Sequence, residues 1–355
     1  MDGAPTLAEQ LVTTLVLPDV LDNPEGPPDG RLRFRPVHAV GVGATGTFIA
    51  SDVARDYCVA RHFDGAPYPV TVRFSNGLGS KVPHDGWSDV RGMATRFHLS
   101  EATGEATDLI AMTLPEFFTA TPEAFLDFAV TAKPGPVARE AWWRKILDLL
   151  RLEIPLPDPP PGQTESPVVG ALTYASRDRN AQLAVLQAAT IGAPVSYARA
   201  TYHAVHAFAI RAPDGVRRFV RFDWRPVAGV FNTGADDPPR DVYLKQELTD
   251  RLAREPARFT LMMTLAETGD AVDDPSRPWP PHRMRVVMGE LALDALADDK
   301  LIETMSFNPW LLADGVEPSN DPVLRARRDA YKVSSGRRIG AVPCPFSGSS
   351  AHGET

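Results

Sequence analysis

Asp321-Pro-Val-Leu-Arg-Ala-Arg-Arg-Asp-Ala-Tyr331 is the stretch from which the rest of the chain can be read. Aspartate followed by proline is a helix-start signature: an acceptor for the free N–H groups, then a residue whose fixed φ and missing N–H suit the first turn. Arg327 and Tyr331, four apart, then share one helix face. A guanidinium beside a phenol favours the phenolate over a group whose ordinary pKa is ~10, and phenolate is the form that binds ferric iron. Most Tyr/Arg pairs at this spacing are only an amphipathic surface, so the flanks decide.

Around the pair stand Ser306-Phe-Asn-Pro309, Gly315-Val-Glu-Pro-Ser319, Leu324 and Arg338-Ile-Gly340. In order and spacing this segment resembles the proximal haem segment of the haem catalases, for which tyrosinate ligation of the iron is the known arrangement. The resemblance implies Tyr331 as the metal ligand of a haem b and Arg327 as the cation beside it.

A second stretch, Arg35-Pro-Val-His-Ala-Val-Gly-Val-Gly-Ala-Thr-Gly46, is similar to the distal-histidine strand of that family, and Val72-Arg73-Phe74-Ser75-Asn76 to the strand that follows. A lone histidine in an apolar run is ordinarily structural, and only its surroundings single out His38. Peroxide must lose a proton from one oxygen and gain one on the other, and a single imidazole can do both. The resemblance implies His38 as this acid/base, Ser75 as the hydrogen-bond partner that fixes its ring, and Val37 against the haem. It also implies Arg35, Arg73 and Arg338 as partners of the haem propionates, where planar guanidinium forks suit carboxylates.

The third stretch, Asp108-Leu-Ile-Ala-Met-Thr-Leu-Pro-Glu-Phe117-Phe118, resembles a catalase segment but departs from it at Met112, where the family carries the distal asparagine. A thioether is a poor acceptor and no donor, so Met112 cannot orient peroxide as an amide does. Thr113, next along, is expected to substitute in part through its hydroxyl. Phe117 and Phe118 match the pocket wall and Phe125 the aromatic residue near the haem face.

Gly41-Val-Gly-Ala-Thr-Gly46 also reads as GxGxxG, with Asp64 near the offset of a ribose-binding acid. Thr47-Phe-Ile-Ala-Ser continues as strand, however, and no βαβ alternation follows, so a dinucleotide site is set aside.

Composition agrees with an irregular α+β protein. The 355 residues are 43% hydrophobic, and 34 prolines with 26 glycines imply many loops and short elements. A net charge of −8 argues against a nucleic-acid partner. Cys58 and Cys344 show no metal or disulfide spacing and are expected as free thiols. The N-terminus has no basic region, Pro18 and Asp19 interrupt its apolar stretch, and no run approaches the ~18 apolar residues needed to span a bilayer. The expected address is the cytoplasm, with no membrane partner.

Short β-like runs are expected at Phe34–Val42, Thr47–Ile49, Pro69–Phe74, Ala94–Phe97, Tyr202–Ile210, Arg218–Trp224, Arg258–Leu265 and Arg285–Leu293. Helices are expected in the first 30 residues, from Thr121, over Arg139–Leu152, Ala181–Ala189 and Leu244–Arg254, and from Pro322. The division is a strap at 1–30, a core at 31–342 and a tail at 343–355; the proline-dense loop Pro155–Pro167 is not taken as a boundary.

The resemblance runs from about Arg31 to Gly340 and lacks the long arm and extension of large catalases, so it points to a minimal, catalase-related peroxidase. It implies an antiparallel β-barrel with surrounding helices, and a haem b enzyme reducing hydrogen peroxide or organic hydroperoxides with a small organic reductant, with weak catalase activity. A hydroperoxide-rearranging enzyme of the allene oxide synthase kind, a non-enzymatic haem carrier or sensor, and a homo-oligomeric assembly are left open by the sequence.

Overall fold

Eight antiparallel strands close on themselves. The computed structural model describes residues 4–16, 34–80, 82, 85–133, 135–137, 140–151, 153, 155, 165–166, 169–234 and 242–339; most of the strap, most of the proline-dense loop and the whole tail lie outside them. In chain order the strands are β1 (Gly41–Ala50), β2 (Pro67–Asn76), β3 (Arg91–Ser100), β4 (Glu105–Met112), β5 (Gly135–Pro136), β6 (Glu165–Ser166), β7 (Tyr202–Arg211), β8 (Arg217–Pro226), β9 (Ala257–Leu265), β10 (Arg285–Leu296) and β11 (Val316–Pro318). The barrel runs β7-β4-β3-β2-β1-β10-β9-β8 and returns to β7. β5 and β6 form a separate two-residue ribbon, and β11 joins β7.

The helices are α1 (Leu7–Leu15), α2 (Ala54–Tyr57), α3 (Pro122–Thr131), α4 (Trp142–Leu150), α5 (Val169–Ala175), α6 (Gln182–Thr190), α7 (Leu244–Leu252), α8 (Asp299–Thr304) and α9 (Pro322–Ile339). Thr121 caps α3 as expected, accepting the Ala124 N–H at 3.2 Å. Thr6 and Glu9 form a capping box on α1.

Alternating inward residues fill the barrel with aromatic rings: Phe48 meets Phe97 edge-on at 5.1 Å and Phe97 stacks on Trp224 at 6.2 Å. The β4–β7 seam rests on one register pair, Met112 with His203. The barrel wall is therefore thinnest beside the cavity described below.

Seven elements were not anticipated: β4, β5, β6, β11, α2, α5 and α8. The expected strand at Phe34–Val42 is also corrected. Residues 34–40 make bends, and the ladder begins only at Gly41. Pro36 has no N–H to give a ladder, and the N–H groups of His38 and Ala39 go to the Gly77 and Leu78 carbonyls beyond the end of β2. The GxGxxG stretch lies within β1. A Cβ on Gly43 would fall 2.2 Å from the Ile302 side chain, so this glycine admits α8 to the barrel wall. Asp64 accepts the Tyr68 hydroxyl at 2.7 Å.

His62 generates a test of the core. It is buried at 5% exposure beside the Phe63 and Phe97 rings, 4.0 and 4.9 Å away, and burial pushes it down to about 3. Below the ordinary histidine pKa of ~6.5 the unfolded chain takes a proton that the folded chain refuses, so stability falls as pH drops toward 3, by about 1.4 kcal/mol per unit from this group. His62→Phe should flatten the loss of stability between pH 7 and pH 4, measured as urea midpoints. An unchanged slope would show that the ring is protonated in the folded protein.

Candidate functional site

A cavity of about 350 Å³ lies between the ends of the barrel strands and helices α1, α3 and α9. Its proximal wall begins with Asp321, whose one carboxylate does two jobs. Oδ1 accepts the Val323 and Leu324 N–H groups at 2.8 and 3.1 Å, which starts α9, and Oδ2 meets His206 Nδ1 at 2.5 Å. One turn further, Arg327 Nη1 donates to His206 Nε2 at 2.8 Å and Nη2 donates to the Tyr331 oxygen at 2.8 Å. Because the guanidinium can only donate, Nε2 accepts and the His206 proton sits on Nδ1, facing the carboxylate. Burial lowers the His206 pKa, against the pull of Asp321, so the ring is held neutral. The Arg327–Tyr331 spacing thus forms as expected, while His206 had no assigned role. Its only sequence signal is a histidine among small and apolar residues on a barrel strand.

On the facing wall, His38 Nδ1 lies 3.0 Å from Ser75 Oγ. The His38 backbone has φ +55°, a sparsely populated region for a residue with a side chain, held by its N–H on the Gly77 carbonyl. Opposite stands Gly92, where a Cβ would come within 2.8 Å of both His38 Nδ1 and Ser75 Oγ; only glycine leaves room for this pair. Burial, then the positive charges of Arg73, Arg327 and Arg35, push His38 down to about 3.

Arg35, Arg73 and Arg338 converge on the end of α8. Arg35 Nη1 and Arg73 Nη2 meet the Glu303 carboxylate at 2.8 and 3.3 Å, and Arg338 donates to the Glu303 carbonyl at 2.6 Å. Glu303 carries no motif and was missed. Burial and the neighbouring Arg73 and Arg338 lower Arg35 to about 9, and the Nε atoms of Arg73 and Arg338 are buried without a partner. Three guanidinium groups against one carboxylate leave room for further anionic oxygen, which fits the two propionates of a porphyrin.

Val37, Met112, Phe117, Phe118 and Phe125 line the cavity. Thr113 is corrected: its hydroxyl oxygen accepts the Arg91 N–H at 3.0 Å and it is not among the cavity-lining residues. Thr113 follows the last residue of β4, and its hydroxyl is taken up by the first residue of β3. His203, paired with Met112 across the seam, lines the cavity instead, its Nδ1 2.6 Å from Asp223. Among the described residues no cluster of His, Cys, Asp and Glu could hold a bare metal ion, and no helix is long and apolar enough to cross a membrane.

A phenol oxygen held by a guanidinium on one wall, an imidazole tied to a hydroxyl on the other, an arginine cluster between them and aromatic sides make up a haem-type site. The chain belongs to the catalase family, whose model matches residues 29–153 and 171–343. It is 34% identical over 310 residues to the catalase-related peroxidase of Mycolicibacterium paratuberculosis, covering 86% of this chain and 89% of that protein. It is 29% identical over 331 residues to the catalase-related peroxidase of Synechococcus elongatus, covering 92% and 89%. Against catalase-2 of Bacillus subtilis the identity is 25%, and only 47% of that longer protein is covered.

Three substitutions separate structure from ligation. Tyr331→Phe keeps the ring but removes the oxygen, and should lower haem retention at least tenfold, read as haem content after gel filtration and transfer to apomyoglobin. Asp321→Ala should remove about 1 kcal/mol of stability through the lost helix cap and about 1–3 kcal/mol more through the buried His206 N–H left unpaired, whereas Asp321→Asn keeps the cap acceptor and should lose only the His206 share. Unchanged haem retention in the first, or equal urea midpoints in the second pair, would contradict these roles.

Proposed function

We propose that the chain is a haem b peroxidase that reduces hydrogen peroxide or an organic hydroperoxide with a small organic electron donor, and that it dismutates peroxide only weakly. The observation that carries this reading is one cavity lined by Arg327 and Tyr331, with His206 and Asp321 behind them, and by the His38–Ser75 pair. Bound haem supplies the redox chemistry. Tyr331 would hold its iron, with Arg327 fixed on the same oxygen, and Arg35, Arg73 and Arg338 would hold its propionates. The core spans 31–342 in this reading, and the cytoplasm is its proposed address.

His38 handles the proton. In the tautomer whose Nδ1–H donates to Ser75, Nε2 keeps its lone pair for the cavity. It can take a proton from one peroxide oxygen and return it to the other. A ring held neutral down to about pH 3 is ready for this throughout the physiological range. Met112 carries the proposed bias against dismutation. Releasing oxygen requires a second peroxide to be oriented, and the thioether at this position offers neither a good acceptor nor a donor. The Thr113 hydroxyl, bonded to the Arg91 N–H, lies outside the cavity lining.

His38→Ala should slow peroxide reduction by about 10²-fold with haem retained. For the wild type, kcat/KM for peroxide should be flat from pH 5 to pH 8, because the ring titrates well below this window; a limb near pH 6.5 would mean a protonated resting histidine. Met112→Asn should raise the ratio of oxygen evolution to donor oxidation at matched haem content. Robust oxygen evolution by the wild type, unimproved by asparagine, would refute the assignment of Met112.

A further inference from the structure

Helix α4 carries Trp142, Trp143, Ile146, Leu147, Leu149 and Leu150, and none of its residues is buried. Trp142 is 72% exposed and Leu150 75%. At 100° per residue these six side chains fill one continuous arc of roughly 160°, while Arg144, Lys145, Asp148 and the following Arg151 fill the other side. A nine-residue helix is not stable in water on its own, and among the described residues none buries this one, although its own Arg144 guanidinium lies over the Trp143 ring at 5.3 Å. Something outside the barrel must bury its apolar face.

Both feet of the segment bearing α4 stand on the cavity wall. Ala132 and Lys133 before it and Ala171 after it line the cavity, Lys133 donates to the Thr14 carbonyl of α1, and the β5–β6 ribbon ties the two limbs together. Residues 154–170, the returning limb, lie outside the family match.

We propose that α4 docks this protein on the surface of a lipid bilayer, its apolar arc among the upper acyl chains and its basic side at headgroup level. The residue types argue for this occupant over a second copy of the chain. Two tryptophans and four aliphatic residues opposite an arginine- and lysine-bearing face make an interfacial helix. Three cations against Asp148 complement anionic headgroups, whereas a second copy docked through the same helix would set a like basic side beside this one. Glu140 and Glu153 lie just beyond the helix ends. Nine residues are too few to span a bilayer, so α4 lies on it. Looking only for a spanning segment, the sequence reading excluded a membrane partner; a surface contact escapes that test. Docking would bring the cavity to acyl hydroperoxides of the bilayer, a consequence that rests on the peroxidase reading.

Flotation of the haem-loaded protein with phosphatidylcholine vesicles, with and without phosphatidylglycerol, tests the docking without reference to activity. The wild type should float with both, roughly tenfold more tightly when phosphatidylglycerol is present. Trp142→Glu combined with Leu150→Glu should abolish flotation while leaving haem content unchanged, and Arg144→Glu should weaken only the phosphatidylglycerol increment. Wild-type protein that stays with neither vesicle, flotation unaffected by the double substitution, or a dimer in sedimentation that the double variant dissociates in place of vesicle binding would each overturn the proposal. A vesicle-borne acyl hydroperoxide compared with soluble tert-butyl hydroperoxide separates the two readings. The double variant should lose rate only on the former, while flotation without turnover of either peroxide would sink the peroxidase reading and leave the docking supported.

Discussion

The Asp321 carboxylate is the constraint on which the proximal side depends. One oxygen satisfies the free N–H groups that begin α9, and the other takes the His206 proton. The cap sets where α9 starts and hence which face carries Arg327 and Tyr331. The bond to His206 sets its tautomer and hence the direction in which Arg327 is pulled. Arg327, fixed at one end on the imidazole, presents its other nitrogen to the phenol oxygen. Helix initiation and ligand orientation are therefore one electrostatic problem, solved by a residue 1% exposed.

The opposite wall is built on tightness. His38 sits in a strained backbone conformation, its ring held over Gly92 beside Ser75, in a space that admits no Cβ. Burial among cations keeps that ring neutral. Such a site favours proton exchange because the imidazole is neither stabilised as a cation nor free to turn away. The arginine cluster at the end of α8 has the opposite character, with more positive charge than its neighbours balance. An anionic cofactor edge and a neutral acid/base are thus served by different parts of one cavity.

Closure of the barrel at the single Met112–His203 pair links fold to chemistry. The position at which this chain departs from the catalase pattern is also the seam of the barrel. Its cross-strand neighbour is a histidine that shares the cavity. The segment bearing α4 rises from the cavity wall at both feet.

Much of this was legible in the sequence because it is local. The Asp321-Pro322 start and the four-residue step to Tyr331 follow from helix geometry, and the cap on α3 from a threonine before a proline. Ser75, Arg35, Arg73 and Arg338 were reached through ordered motifs, and the structure brings them into one cavity. What the sequence could not determine depends on pairing across long separations. His206 and Asp321 are 115 residues apart, and Glu303 lies 268 residues from Arg35 and 230 from Arg73. Thr113 failed as a stand-in for the same reason: its hydroxyl is taken up by the N–H of Arg91, 22 residues away at the start of β3. Local rules determine which groups exist and how a helix presents them; only closure of the barrel decides which of them meet, because hydrogen-bond register across strands is a property of the whole sheet.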